Sequence, residues 1–285
     1  MANKYHTRSN SFPSGSHPTT IRIEEELCKV KTWETTSTST SHSIATSLSL
    51  LQDLYICFQD LLNMPSTQKM ISHHQGEKCV EELLDGSVRI LDICGITRDI
   101  MLQIKENVQT LHSCLRRRKG DSTIEKSVAE YNLFSKKMKK NVKKLITTLK
   151  QMDSKFGVSP ILNQDQQFSA LITNLREVIV TNMSIFQSLL AFLASKYSKG
   201  TKWFSVSKLM HKGVISCEEN FNELQNVEAS LSTLLSEGTN VEKMQTAHQR
   251  LEALENAIEG LENGLESVFR CMVKTRACLL NTITQ

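Results

Sequence analysis

Residues 80–115 read VEELLDGSVRILDICGITRDIMLQIKENVQTLHSCL, in which apolar or small side chains recur at alternating steps of three and four. This spacing is the heptad pattern of a coiled-coil seam. The seam residues are Val80, Leu83, Ser87, Ile90, Cys94, Thr97, Met101, Ile104, Val108, Leu111 and Leu115. At about 1.5 Å per residue, such a helix is about 54 Å long. The stretch predicts one long helix that buries a single face against its neighbours.

Helical spacing continues through the rest of the chain. Residues 124–156 and 241–272 form two further heptad seams, and residues 163–196 carry apolar side chains on two faces. All four prolines lie at or before residue 160, so the second half lacks this helix breaker. The sequence therefore predicts an all-α fold, an elongated antiparallel bundle of long helices with coiled-coil-like seams and a disordered N-terminal tail.

The first 43 residues differ from the remainder in composition. Residues 1–20 are polar, aperiodic and contain Pro and Ser, and residues 35–43 are nearly all Ser and Thr. Such segments bury too little apolar surface to fold by themselves. We expect a disordered Ser/Thr-rich tail and linker over 1–43, with a short helix at 21–33, and a helical bundle domain over 44–285.

Residues 178–195 contain no charged side chain, which leaves two interpretations. The length is compatible with one membrane span. However, several Ser, Thr, Asn and Gln side chains fall inside the segment, and these are costly against lipid but acceptable in a bundle core. We favour a buried core helix.

Eight cysteines are spread over the chain without a CxxC pair, which argues against a disulfide framework or a zinc ribbon. The N-terminal residues lack the apolar core of a secretory signal. We therefore expect a cytoplasmic protein, with attachment to the periphery of membranes as an alternative, and disfavour the nucleus and organelles.

Common catalytic motifs are missing from the sequence, among them HExxH, GxGxxG, GxxxxGK[ST] and GxSxG. We expect a non-enzymatic protein without catalytic, cofactor-binding or metal-binding residues, and hence no cofactor. An enzyme remains the third hypothesis, because a pocket of convergent polar groups is not visible in a sequence.

The net charge is only +4, but basic and acidic residues are concentrated in different parts of the chain. Residues 116–155 contain thirteen basic and four acidic side chains, whereas residues 217–266 contain two basic and eleven acidic ones. One interpretation is pairing inside the molecule between the basic helix and an acidic stripe, together with charged faces that are simply solvated. The acidic stripe consists of Glu252, Glu255, Glu259, Glu262 and Glu266.

The alternative is that the basic helix 121–156 binds anionic lipid, where each lysine contributes about 1 kcal/mol. The candidate basic surface consists of Lys136, Lys137, Lys139, Lys140, Lys143 and Lys144. Nucleic acid is not expected, since few aromatic residues accompany the lysines and no RNA- or DNA-binding signature is present. The seam within residues 214–283 could pair inside one chain or between two, so self-association through these helices is a further candidate.

Arg8, Ser9, Ser11 and Pro13 form the pattern R-S-x-S-x-P in the predicted tail. Proteins of the 14-3-3 class recognise this pattern once its second serine is phosphorylated, because a phosphate in a mobile segment fits an Arg-lined groove. Ser11 is therefore a candidate phosphorylation site, and 14-3-3 is a candidate partner. The alternative is an unmodified flexible arm.

Several short blocks resemble a family of plant proteins, the BYPASS-like family. They are RSNSFPS at 8–14, LLNMPSTQ at 61–68, LLDGS at 83–87, LDICG at 91–95 and LRRR at 115–118. The resemblance implies an all-helical land-plant protein linked to root and shoot development, without known catalytic residues to transfer. Within these blocks, Gly95 is expected to let another helix approach closely. We expect a scaffold or regulatory protein that acts through protein–protein contacts.

Overall fold

The computed structural model describes residues 18–38, 40–117, 121–156, 166–195, 221–238 and 240–284. Within these ranges the chain forms eight helices and no strand, which confirms the predicted all-α class. The helices are α1 (Pro18–Thr36), α2 (Ser41–Leu62), α3 (Pro65–His73), α4 (Lys78–Arg116), α5 (Asp121–Phe156), α6 (Gln166–Ala194), α7 (Glu223–Glu237) and α8 (Val241–Ile283).

Helix α4 follows the predicted seam. Ten of the eleven seam residues are buried in the bundle, and the remaining one, Ser87, is half-buried. The opposite face of α4 stays exposed along the whole helix. The heptad pattern therefore correctly predicted which side of this helix packs.

The longest helix, α8, lies against α2 and α4 over most of its length and also contacts α7 and α3. From Leu251 onward its predicted seam is buried against these helices of the same chain, whereas Val241 at the start of the seam is 77% exposed. The seam residues include Leu251, Leu254, Ile258, Leu261, Leu265, Val268 and Met272. The C-terminal seam thus pairs within one chain in this structure.

Helices α5 and α6 complete the bundle, with α6 packed against α5, α4, α2 and α1. Among the described residues, α6 is the one helix long and apolar enough to cross a membrane, with a mean hydropathy of 1.5 over its best window. More than half of that window is buried inside the bundle. Here α6 is a core helix, as the Ser, Thr and Asn content of residues 178–195 indicated.

At the N-terminal end, the structure extends the predicted helix and shortens the predicted linker. α1 runs from Pro18 to Thr36 and buries an apolar face against α2 and α6. The indole Nε1 of Trp33 donates a hydrogen bond to the carbonyl oxygen of Ser43, at 3.0 Å, and this bond ties the end of α1 to the start of α2. Residues 1–17 of the predicted tail lie outside the described residues. The buried residues of α1 are Ile23, Leu27, Val30 and Trp33.

Gly238 joins α7 to α8 with a φ of +78°, a conformation that glycine adopts without steric cost. The helix that follows is capped by Asn240, whose side chain accepts a hydrogen bond from the backbone N–H of Lys243 at 2.8 Å. At the start of α7, Asn222 and Gln225 form a capping box. Gly238 and the Asn240 cap define the α7–α8 turn, and the capping box defines the start of α7.

The close approach between helices is at a different glycine from the one expected. A Cβ on Gly95 would have no atom within 4 Å, so the prediction for Gly95 was wrong. A Cβ on Gly264 of α8 would instead lie 3.2 Å from Cδ1 and 3.3 Å from Cβ of Leu48. Glycine at 264 therefore allows α8 and α2 to approach each other.

Candidate functional site

The two sets of predicted site residues lie in different parts of the chain. Arg8, Ser9, Ser11 and Pro13 precede the first described residue, so the structure carries no information on the 14-3-3 motif. The six candidate lysines all lie on α5, within a single stretch of about two and a half turns. The lysines, with the surfaces next to them, are the candidate site.

Five of these six lysines form an exposed surface, and one does not. Lys136, Lys137, Lys140, Lys143 and Lys144 are exposed on the side of α5 opposite the buried seam. Lys139 is buried, with a side chain only 8% exposed, and forms an ion pair with Glu228 of α7. Inclusion of Lys139 in the basic surface was therefore wrong, since α7 packs over its position on the helix.

Two more lysines extend this surface toward the ends of the helix. Lys126 and Lys150 are exposed, and they lie on the same outward side of α5. Among the described residues none of the exposed lysines of α5 forms an ion pair. We call this surface the basic face; it consists of Lys126, Lys136, Lys137, Lys140, Lys143, Lys144 and Lys150.

The acidic stripe of α8 pairs with α4 and not with the basic helix α5. Glu262 contacts Nζ of Lys105 at 2.8 Å, Glu255 contacts Nδ1 of His112 at 3.1 Å, and Glu266 pairs with Arg98. The guanidinium of Arg98 also lies 4.7 Å from the ring centre of Phe269. The interpretation that the stripe neutralises α5 was wrong, because α4 occupies the neighbouring position.

The outer side of α4 carries a row of acidic residues that we did not predict as a surface from the sequence. Acidic residues recur every seven positions, at Asp85, Asp92, Asp99 and Glu106. Glu81 lies four positions before the first of them. All five are exposed and, within the described part of the chain, form no ion pair. We call this row the acidic face. A search for charges in seven-residue register would have found it.

The acidic and basic faces lie on adjoining helices. α4 and α5 are consecutive helices in the chain, are joined by a short connection and pack against each other. Near that connection, the Oγ of Ser127 lies 3.1 Å from the Sγ of Cys114. An open groove lies between the two helices at this end and is lined by polar side chains. The groove includes Glu106 of the acidic face and none of the lysines of the basic face.

A second feature is a narrow pocket in the bundle interior between α2, α4, α6 and α8, with a cavity volume of only about 30 Å³. Its polar groups already bond to each other. The hydroxyl of Tyr55 donates to Oδ1 of Asn182 at 3.2 Å, and Arg276 donates to Oγ of Ser87 at 2.6 Å. Desolvation raises the pKa of Tyr55, so its hydroxyl stays protonated. These bonds join α2 to α6 and α4 to α8.

The thiols of the described residues are unpaired, and the most buried of them is Cys94 on α4. Desolvation raises the pKa of the Cys94 thiol to about 12. A thiol that stays protonated is a poor nucleophile, because the thiolate is the reactive form. Cys94 therefore contributes to core packing in the manner of a small apolar side chain.

Comparison with known proteins gives one result. The family model described as Protein BPS1 matches residues 47–282, which extend from α2 to the end of α8 and include both charged faces. Searches of the curated proteins and of the solved structures find no match to the chain.

Proposed function

The chain belongs to the BPS1 family of plant proteins, and from this premise we propose that it is a non-enzymatic helical scaffold or regulator that acts through protein–protein contacts. Membership of the family fits a regulatory role in development. More specifically, we propose that the protein acts in root and shoot development. We propose the cytoplasm as its location, because unpaired cysteines stay reduced there.

The observation that supports a scaffold is the division of charge between the inside and the outside of the bundle. Charges between α4 and α8 are paired with each other, and Lys139 is paired with Glu228. The charges of the acidic and basic faces form no such pairs within the described residues, although they are arranged in rows along two of the longest helices. Rows of exposed charge favour recognition and the rate of association more than stability of the fold.

The second element of the proposal is control by the N-terminal segment. Phosphate on Ser11 would add close to two negative charges next to Arg8 and Ser9, in the pattern that 14-3-3 proteins recognise. α1 is anchored to the bundle from Ile23 onward, so a 14-3-3 protein bound at Ser11 would lie within about a dozen residues of it. The bound protein could then cover or expose a surface of the bundle.

The test of this proposal is purification of the protein from plant tissue with its partners. We expect a 14-3-3 protein to co-purify with the wild type and with the control Ser16→Ala, and to be lost from Ser11→Ala. Ser16 lies in the same segment but outside the motif, so the control separates motif recognition from general effects on the tail. Equal recovery of 14-3-3 with both variants would contradict regulation through Ser11.

A second candidate function is peripheral binding to anionic membranes, and the basic face is the observation that favours it. Its seven exposed lysines lie on the solvent side of one long helix and have no acidic partner among the described residues. A lysine close to an anionic surface contributes about 1 kcal/mol to binding. Leu133, 70% exposed in the middle of this face, would add apolar contact with the headgroup region.

Sedimentation with vesicles tests the membrane function. We define the basic-face variant as Lys136→Glu/Lys143→Glu/Lys150→Glu, and its control as Lys69→Glu/Lys78→Glu/Lys274→Glu, which reverses three exposed lysines of other surfaces. If the face binds lipid, the basic-face variant loses affinity for vesicles containing phosphatidylserine by about tenfold or more, and the control does not. Equal binding of the two variants would exclude the basic face as the lipid site.

A further inference from the structure

A row of side-chain contacts joins α4 to α8 and forms the floor of a surface groove between them. The two helices are antiparallel, since the residue numbers of successive partners rise on α4 and fall on α8. Arg276 of α8 extends the row by donating to the carbonyl oxygen of Leu84 at 2.8 Å and to Oγ of Ser87 at 2.6 Å. The groups in this row are engaged with each other, so a partner would meet the side chains beside it. The other contacts of the row are Arg98–Glu266, Lys105–Glu262 and His112–Glu255.

Exposed apolar side chains lie beside this row on both helices. Leu102 is three residues before Lys105, and Val273 is three residues before Arg276, so each is next to a residue of the row on its own helix. Leu102 is 48% exposed and Val273 is 45% exposed. Leu280, one heptad after Val273, is 38% exposed. These side chains form apolar edges along the groove, which we call the α4–α8 groove.

Gly95 lowers the α4 edge of this groove. It lies three residues before Arg98 and seven before Leu102, and therefore on the same side of α4. A Cβ at 95 would have no described neighbour within 4 Å beyond the backbone of its own helix. No described helix of this chain uses the space, so a side chain from outside can contact the backbone of α4 here.

Acidic side chains without ion pairs flank the apolar edges on both helices. The acidic face of α4 lies beside the apolar edge of that helix, because Asp99 is three residues before Leu102. On α8, Glu252 and Glu259 are exposed and form no ion pair within the described ranges. Glu259 is three residues before Glu262 and hence also beside the row. The α4–α8 groove therefore combines apolar edges with negative charge on both of its sides.

We propose that the α4–α8 groove binds an amphipathic helix of a partner protein, with apolar residues on its inner face and lysine or arginine along its margins. The proposal rests on the scaffold function proposed above and names the chemistry of its partner. The apolar face of that helix would cover Leu102, Val273 and Leu280. Its basic margins would lie against the acidic side chains of both helices, which complement them in charge. An anionic membrane would be repelled by the same acidic side chains.

The spacing of the apolar residues gives the length of the partner helix. Because Lys105 contacts Glu262, Leu102 lies near the level of Glu262 on α8. Leu280 lies 18 residues after Glu262, which corresponds to about 27 Å along the helix axis. A helix of about 18 residues is therefore long enough to cover the three apolar side chains.

Binding of a synthetic peptide to the full, unphosphorylated chain tests the proposal. The probe is a fluorescent peptide of about 18 residues, with leucine on one helical face and lysine at the other positions, and binding is measured by anisotropy. We expect Leu102→Lys/Val273→Lys to weaken binding by about tenfold or more, because it places positive charge on the apolar edges. The control Leu133→Lys/Val241→Lys changes side chains that are 70% and 77% exposed on other surfaces, and should stay within about twofold of the wild type.

A second pair of variants tests the role of the acidic side chains. Asp99→Asn/Glu259→Gln should weaken peptide binding several-fold at about 50 mM salt and much less at about 500 mM, where charges are screened. The control Glu24→Gln/Asp153→Asn removes two exposed carboxylates of α1 and α5 and should bind as the wild type does. A peptide with a photoreactive group at its centre should label α4 and α8 of the wild type.

Three results would overturn the proposal. They are equal peptide binding by the groove variants and their controls, labelling confined to other helices, and self-association of the wild type that Leu102→Lys/Val273→Lys abolishes. The last result would identify a second copy as the occupant of the groove. Because the chain in these experiments is unphosphorylated, failure of the groove proposal is distinguishable from failure of 14-3-3 binding through Ser11.

Discussion

Replacing Glu228 by Ala is expected to lower the free energy of unfolding by about 3 kcal/mol. Glu228 of α7 accepts a hydrogen bond from Oγ of Ser135 at 2.8 Å and pairs with Lys139, so it joins α7 to α5. Both charged side chains are largely buried, at 8% exposure for Lys139 and 17% for Glu228. Removal of the carboxylate would leave the ammonium group in a site with little water, which is the costly way to break such a pair.

Urea denaturation of three variants tests this expectation. The control Glu237→Ala removes a carboxylate of the same helix that pairs with Lys243 at 3.1 Å and is 60% exposed, so it should cost less than about 1 kcal/mol. The double variant Glu228→Leu/Lys139→Met replaces the pair by apolar groups and should remain within about 1 kcal/mol of the wild type. If Glu228→Ala is no more destabilising than Glu237→Ala, the pair does not stabilise the α5–α7 contact.

Replacing Gly264 by Leu is expected to lower the free energy of unfolding by about 3 kcal/mol, since the side chain would meet Leu48 at the α2–α8 contact. The same change at Gly260, one turn earlier in α8, has no atom within 4 Å of the new Cβ. Leucine is a better helix former than glycine, so Gly260→Leu should raise the free energy of unfolding by about 0.5 kcal/mol.

A double-mutant cycle identifies the clash as the cause. Leu48→Ala removes the side chain that a Cβ at 264 would contact, so adding Gly264→Leu to it should cost less than adding Gly264→Leu to the wild type. Equal costs in the two backgrounds would mean that Leu48 is not the obstacle. Equal stability of the Gly260→Leu and Gly264→Leu variants would contradict the close approach of α2 and α8.

The positions of the helices and their buried faces could be predicted from the sequence because they depend on local periodicity. The seam of α4 is buried as expected, and the all-α class follows from the same pattern. The length of the N-terminal helix was underestimated, since the prediction was 21–33 and α1 spans Pro18–Thr36. Its burial depends on α2 and α6, which are distant in sequence, and a Thr-rich segment such as 35–43 appears unstructured when these neighbours are not considered.

Which helices lie next to each other could not be predicted from the sequence. Opposite charges are compatible with several pairings of helices, and the fold adopts only one of them. The acidic stripe of α8 could have paired with either α4 or α5, and only the packing order decides that it meets Arg98, Lys105 and His112. Lys139 looked like its neighbours in sequence, yet it lies toward α7. The acidic face of α4 was detectable from its seven-residue steps.

Binding of purified 14-3-3 protein to the full chain tests the central claim most directly. We expect the chain phosphorylated at Ser11 to bind 14-3-3, and the unphosphorylated chain and the Ser11→Ala variant not to bind it. Absence of binding by the chain phosphorylated at Ser11 would contradict control of this protein through its N-terminal segment.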